Sequence, residues 1–184
     1  MNAYDFDKTI FKGDSTRRFY IYCLIRNPKI ALRLPKMLLD AIFVLPKDKT
    51  RFKQNMFGFL KDLKDPNAFV NGFWQKNMRR IKSFYLNNAK PEDVIISASP
   101  EFLLLPVQKL LGFKTLIASR VDINTGAYTG VNCSGEEKVR RFLSEFPHIT
   151  PAAFYSDSHS DDPMAKISSA AYMVRGEKLS RWRF

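Results

Sequence analysis

Apolar residues gather in five short runs along this chain: Asn2–Phe6, Asp93–Ser97 around Val94-Ile95-Ile96, Thr115–Val121, Ala152–Ser156 and Ala170–Val174. Each has the length of a strand and is too short for a helix. Helix-like patterns at Glu101–Leu111 and Glu136–Phe146, and a shorter one at Pro163–Ser169, separate the last four runs. Strands alternating with helices at this spacing predict βαβ units, hence an α/β fold with a Rossmann-like, mostly parallel sheet flanked by helices. The stretch between the first two runs is far too long for a crossover. Its helical patterning, punctuated by Pro28, Pro35, Pro46 and Pro66, predicts a helical cap inserted after strand 1. The expected organisation is a core of residues 1–14 and 90–184 with a cap of residues 15–89. Asn124-Thr125-Gly126 is turn chemistry inside a hairpin expected over Val121–Val131.

One cap segment is unusually apolar. Ile30–Leu45 carries only Arg33, Lys36 and Asp40 as charges. At about 100° per residue, Arg26, Lys29, Arg33, Lys36, Asp40 and Lys47 fall within an arc of about 80°. That is too many charges for a membrane span. Such a helix either packs inside the cap or lies on a membrane surface with its basic edge at the headgroups.

Length and composition narrow the picture. The 184 residues, 45% hydrophobic with 16 phenylalanines, exclude a disordered chain and support one domain with an insert. The 30 basic residues against 18 acidic ones, a net charge of +12, imply an anionic partner: a phosphorylated substrate, an anionic membrane or nucleic acid. The basic, aromatic stretch Trp74–Tyr85, with Lys76, Arg79, Arg80 and Lys82, is the one feature suggesting nucleic acid; it equally describes an amphipathic helix, and no nucleic-acid partner is expected. Cys23 and Cys133 lack metal-type or redox-type neighbours and are expected to be free thiols. With an acidic residue at position 5 and no signal-peptide pattern, the chain is expected in the cytoplasm.

The chemistry gathers at the strand ends, where open α/β sheets place their sites. Strand 1 ends at Asp5 and Asp7, whose i, i+2 spacing in an extended segment projects both carboxylates to one face. Two such carboxylates must share a proton or a cation. The second run ends at Ser97-Ala98-Ser99-Pro100, a hydroxyl and free N–H groups at a helix start, which suits an anion. The fourth ends at Ser156-Asp157-Ser158-His159-Ser160-Asp161-Asp162, oxygen donors that suit a hard cation. Lys138 opens the helix after the hairpin.

The ordered set Asp-x-Asp-x-Thr, strand-end Ser, Lys and Ser-Asp-Ser-x-x-Asp resembles the haloacid-dehalogenase-like superfamily of phosphohydrolases across essentially the whole chain. The insert after the first motif and the Gly126-to-Gly130 hairpin are similar to the phosphoserine-phosphatase-like branch. Ile117-Ala118-Ser119, Glu137-Lys138-Val139 and Tyr155-Ser156-Asp157-Ser158 resemble the phosphatidylglycerophosphatase C type, which also carries a long apolar cap segment. The resemblance implies a Mg2+-dependent phosphomonoesterase with Asp5 as nucleophile, forming an aspartyl-phosphate, and Asp7 as acid and base. It implies that Thr9, Ser97 and the Ala98 N–H hold phosphoryl oxygens and that Lys138 neutralises nucleophile and phosphate. Asp5, the Asp7 carbonyl and Asp157 would bind magnesium, and Asp161 would steady Asp157 or Lys138, with Asp162 an extra acid beside it. Lys8 stands where many relatives have a small residue, and Asp14 falls loosely where phosphoserine phosphatases bind the substrate amine. The substrate implied first is a lipid phosphate such as phosphatidylglycerophosphate, met by a protein peripheral at the inner face of the membrane; the alternative is a soluble metabolite such as phosphoserine.

Overall fold

The computed structural model of the chain describes residues 1–44, 52 and 55–184. A six-stranded sheet has the order β3-β2-β1-β4-β5-β6, from β1 (Ala3–Tyr4), β2 (Val94–Pro100), β3 (Thr115–Ser119), β4 (Phe154–Ser156), β5 (Ala171–Arg175) and β6 (Lys178–Arg181). The first five strands run parallel. β6, not anticipated from sequence, returns antiparallel on β5 through a turn at Gly176 (φ 62°). Its four residues are all exposed, so no apolar alternation marked it. β1 is only two residues long, yet it sits centrally: Ala3 pairs with Val94 and Phe154, and Tyr4 with Ile95 and Tyr155. Its carboxyl end therefore opens between those of β2 and β4, the point where the strand order reverses and α/β sheets bind ligands.

Strand alternation sends side chains to two cores. Ala3, Val94, Ile96 and Phe154 face one cluster with Phe142, Met164 and Trp182. Tyr4 and Ile95 face the other, with Leu103, Leu104 and Phe113. The expected helices appear after the strands as α5 (Glu101–Leu111), α6 (Glu136–Glu145) and α7 (Asp162–Lys166). The Val121–Val131 hairpin is reduced to a single antiparallel bridge between Val121 and Tyr128. Its Gly126 (φ 74°) is required twice over, since a Cβ there would lie 2.3 Å from the Phe57 carbonyl oxygen.

Between β1 and β2 lie α1 (Ser15–Arg26), α2 (Leu34–Phe43), α3 (Pro66–Asn77) and α4 (Ser83–Leu86), with 3-10 turns at Pro28–Arg33, Gly58–Asp62 and Met78–Arg80. They share the Tyr4–Ile95 core: Phe19, Phe59, Phe73 and Trp74 lie in the same cluster as Leu103 and Val107 of α5. Trp74 meets Phe6, Phe11 and Phe73 with ring centroids 5.9, 5.5 and 4.9 Å apart, and its indole N–H donates to the Leu103 carbonyl at 2.6 Å. Trp74 and Tyr85 of the stretch Trp74–Tyr85 are buried and serve this core.

The apolar segment does not form one continuous helix. Pro28 opens a 3-10 turn and Pro35 sits in the first turn of α2, so the chain changes helical type at Arg33–Leu34. Leu45 and Lys47 lie outside the described residues. Ile30 is buried, but Leu32, Leu34, Leu38, Leu39, Ile42 and Phe43 are all exposed, Leu32 to 82%. Among the described residues, no helix is long and apolar enough to cross a membrane. Cys23 and Cys133 are both buried free thiols.

Because the insert and the sheet share one core through Trp74, they are expected to unfold together. Trp74→Ala should lower the unfolding free energy by about 3–5 kcal/mol in urea titration, with a single transition coincident by fluorescence and far-UV circular dichroism.

Candidate active site

The chain leaves β1 at Asp5 and folds into a tight loop, with the Ile10 and Phe11 N–H groups donating to the Phe6 carbonyl (3.0 Å each) and the Lys8 N–H to the Gly13 carbonyl (2.9 Å). The loop turns at Lys8, whose φ of 58° is the one positive value at a non-glycine residue among those described. That backbone costs an L-residue about 1 kcal/mol. A glycine at this position would avoid that cost, because it has no Cβ.

Asp5 is the centre of a buried polar array. Lys138, in the first turn of α6, is 2% exposed and donates to Asp5 Oδ1 at 2.7 Å and Asp161 Oδ2 at 2.8 Å. Ser156 Oγ donates to the same Asp161 oxygen at 2.7 Å. Thr9 Oγ1 donates to Asp5 Oδ2 at 3.1 Å and accepts the Asp157 N–H at 3.0 Å, so it fastens the end of β1 to the end of β4. Asp161, not Asp162, serves this array. Asp162 turns outward to His159 and the Trp182 indole N–H, each at 2.9 Å.

Asp7 has different company. Its Oδ1 accepts the Ser15 N–H at 2.7 Å and its Oδ2 the Ser99 hydroxyl at 2.5 Å. Asp14 caps α1, accepting the Arg17 N–H at 2.8 Å, so the loose parallel with an amine-binding glutamate has a capping reason.

A cavity of about 740 Å³ opens on these groups. Asp5, Asp7, Ala98, Lys138, Asp157 and Asp161 line it together with Ser99 and Ser158. Thr9 and Ser97, expected to hold phosphoryl oxygens, are buried behind that wall, and the Ser97 hydroxyl accepts the Ser99 N–H at 3.1 Å. The structure thus brings together every site residue expected from sequence, with Thr9 and Ser97 bracing and Ser99 facing the cavity. Ser99 is the residue that sequence reasoning passed over. The same cavity also has apolar lining from Tyr20, Ile21, Met37, Met56 and Phe57.

Charges in this site are far from their solution behaviour. Burial pushes the Asp5 carboxyl up to about 6; Lys138 pulls it down, while Asp161 and Asp157 push it further up. Burial, with Asp14 nearby, pushes Asp7 up to about 7 against the hydrogen bonds from Ser99 and Ser15. Burial also raises Asp157. Burial opposes the Lys138 ammonium, yet Asp5 and Asp161 outweigh it and hold the amine well above the usual lysine value. Asp5, Asp157 and Asp161 against Lys138 leave an excess of about two negative charges, the condition under which a divalent cation or a shared proton is required. Among the described residues no three His, Cys, Asp or Glu side chains form a ready cage. The oxygen donors present fit magnesium all the same, because it binds through one or two carboxylates and completes its shell with other oxygens.

The raised Asp7 value carries a sign for stability. The folded protein keeps a proton that the unfolded chain releases near 3.8, so this stabilisation is complete below about 4 and is lost as pH rises through about 7. In chelator-treated protein, Asp7→Asn is expected to be more stable than wild type at pH 8 by about 1–2 kcal/mol, with the difference closing below pH 4 in thermal melts.

The fold and this constellation have counterparts. The protein CicA of Caulobacter vibrioides is 28% identical over 90% of this chain and 82% of its own length. A protein of unknown function from Bordetella pertussis Tohama I superposes with a TM-score of 0.72 at 20% identity, covering 93% of this chain and 87% of that one. A phospho-aspartyl intermediate analogue of phosphoserine phosphatase superposes with a TM-score of 0.58 at 17% identity, covering 92% and 83%. At these identities the two structures speak for the fold alone. Residues 3–166 match the family described as haloacid dehalogenase-like hydrolase, which takes in every residue of the buried array. The chain belongs to the haloacid dehalogenase-like hydrolase family.

Proposed function

We propose that this hydrolase is a magnesium-dependent phosphomonoesterase that works through an aspartyl-phosphate on Asp5, and that its substrate is a lipid phosphate such as phosphatidylglycerophosphate. The observation that carries the reading is the division of labour at the cavity floor. Asp5 meets the Lys138 ammonium at 2.7 Å, which favours its anion. Asp7 instead meets the Ser15 N–H and the Ser99 hydroxyl and, pushed up to about 7, is poised to hold or release a proton near neutral pH.

Asp5 Oδ attacks phosphorus as the P–O ester bond breaks, and the leaving alkoxide takes the proton of Asp7. Asp7, now ionised, removes a proton from water as that water attacks the aspartyl-phosphate. The Asp5–phosphorus bond breaks, releasing phosphate and restoring both carboxyl groups. Lys138 faces the charge on the phosphoryl oxygens, and the Ala98 N–H, just ahead of α5, would provide a donor for them. Thr9 keeps Asp5 aimed, and Ser97 supports the turn that presents Ser99. Asp5, the Asp7 carbonyl and Asp157 would hold magnesium, with Asp161 fixing Lys138. The bound cation supplies charge neutralisation for the phosphoryl group.

The lipid reading rests on the apolar lining of the cavity and the helix that continues from it. That lining includes Met37 of α2, and the rest of that helix exposes Leu34, Leu38, Leu39, Ile42 and Phe43 beside exposed Arg26, Lys29 and Lys36. An apolar face rimmed by cations suits an anionic bilayer, and the net charge of +12 adds long-range attraction. On this reading the protein works at the cytoplasmic face of the membrane. The alternative substrate is a soluble phosphomonoester such as phosphoserine, suggested by the phosphoserine phosphatase among its structural neighbours.

Purified protein is expected to release phosphate from an aryl phosphate with magnesium, and Asp5→Asn to reduce the rate by at least about 10³-fold. Equal rates would end the nucleophile assignment. In a phosphate-release screen, phosphatidylglycerophosphate in vesicles should be turned over faster than phosphoserine. Replacing Leu38 and Ile42 by serine should weaken sedimentation with anionic vesicles at low salt, while leaving aryl phosphate hydrolysis intact.

A further inference from the structure

The buried lysine of the insert has no part in the chemistry above. Lys82 is 3% exposed and stands at the junction where the insert returns to the sheet, just before α4. Its backbone closes a short antiparallel seam: the Lys82 N–H donates to the Ile10 carbonyl and the Lys12 N–H to the Arg80 carbonyl, both at 2.8 Å, with Phe11 bridged to Ile81. Its side chain passes back across the seam, and the Nζ donates to the carbonyl oxygen of Lys8. That carbonyl belongs to the left-handed residue of the Asp7-Lys8-Thr9 turn. Burial pushes the Lys82 ammonium below its usual value, against the attraction of Glu177 and Asp157.

An ammonium buried for one backbone carbonyl is a costly device unless the carbonyl's position matters. Here it does, because the residues on either side of Lys8 are Asp7, which meets Ser99 and Ser15, and Thr9, which aims Asp5. A turn with a side chain at φ 58° relaxes toward negative φ when released. Relaxation would rotate the Asp7 and Thr9 peptide planes together. We propose that Lys82 is a positioning residue, by which the insert holds the left-handed Lys8 turn and so keeps Asp7 and Thr9 in place for catalysis. This deepens the phosphatase reading and rests on it for its kinetic readout. A glycine at position 8 adopts the same backbone without strain, so the need for Lys82 should shrink when residue 8 is glycine.

The test is a double-mutant cycle of Lys82→Met and Lys8→Gly, assayed with an aryl phosphate and magnesium and by thermal melting. Lys82→Met is expected to lower kcat by roughly ten- to a hundredfold with KM changed less than about threefold. In the Lys8→Gly background the same substitution should lower kcat by less than about threefold. Equal losses in both backgrounds, or no loss in either, would overturn the proposal. If Lys82→Met alone does not fold, recovery of a folded, active protein in the double variant supports it, and failure of both to fold overturns it. If the wild type hydrolyses no phosphomonoester, the functional reading fails by itself. The cycle in melting midpoint then decides: a smaller destabilisation by Lys82→Met with glycine at position 8 supports the tie, and additivity overturns it.

Discussion

The pair of bonds from the Lys138 ammonium to Asp5 and Asp161 is the interaction on which the rest of the site depends. Each of these three groups is buried, and each alone would face a desolvation cost of several kcal/mol. Together they draw the ends of β1 and β4 and the start of α6 to one point. Thr9 and Ser156 complete the hydrogen bonding, so the array is satisfied and still leaves an excess of negative charge facing the cavity. Structural need and chemical readiness thus have one source. The lysine that makes it tolerable to bury Asp5 and Asp161 also favours the ionised form of Asp5 against the upward push of burial.

The insert serves that array from outside. It does not build a core of its own but packs Phe19, Phe73 and Trp74 into the cluster that backs β1 and β2. Its two ends are seamed together at residues 10–12 and 80–82. The buried carboxylates and Lys138 that line the cavity come from the sheet's strand ends and α6, whereas most of its apolar lining, Tyr20, Ile21, Met37, Met56 and Phe57, comes from the insert.

Much of this was legible in the sequence, for identifiable reasons. Buried parallel strands read as apolar runs, and each run ends where polar residues begin, so Asp5, Asp7, Asp157 and Asp161 could be placed at the sheet's carboxyl edge before any coordinates. Lys138 could not be placed by pattern alone. A lysine in the first turn of an amphipathic helix ordinarily faces water, and only the resemblance singled it out. Ser97 and Ser99 were indistinguishable, because residues two apart in a strand share a face. The register shift between Ser97 and Pro100 breaks that equivalence and turns Ser99 to the cavity. β6 was invisible because Lys-Leu-Ser-Arg has no buried face, and α2 departed from a continuous helix at Pro35.

The central place of a two-residue strand has a consequence for how this protein comes into being. β1 is made before its partners on either side, Val94-Ile95 and Phe154-Tyr155. Its backbone groups wait until both neighbours exist, and Asp5 waits with them for Lys138 and Asp157. No fragment ending before β4 can hold Asp5 as the finished protein does. The array around Asp5 therefore assembles in one step, only after the chain has been made through Asp161.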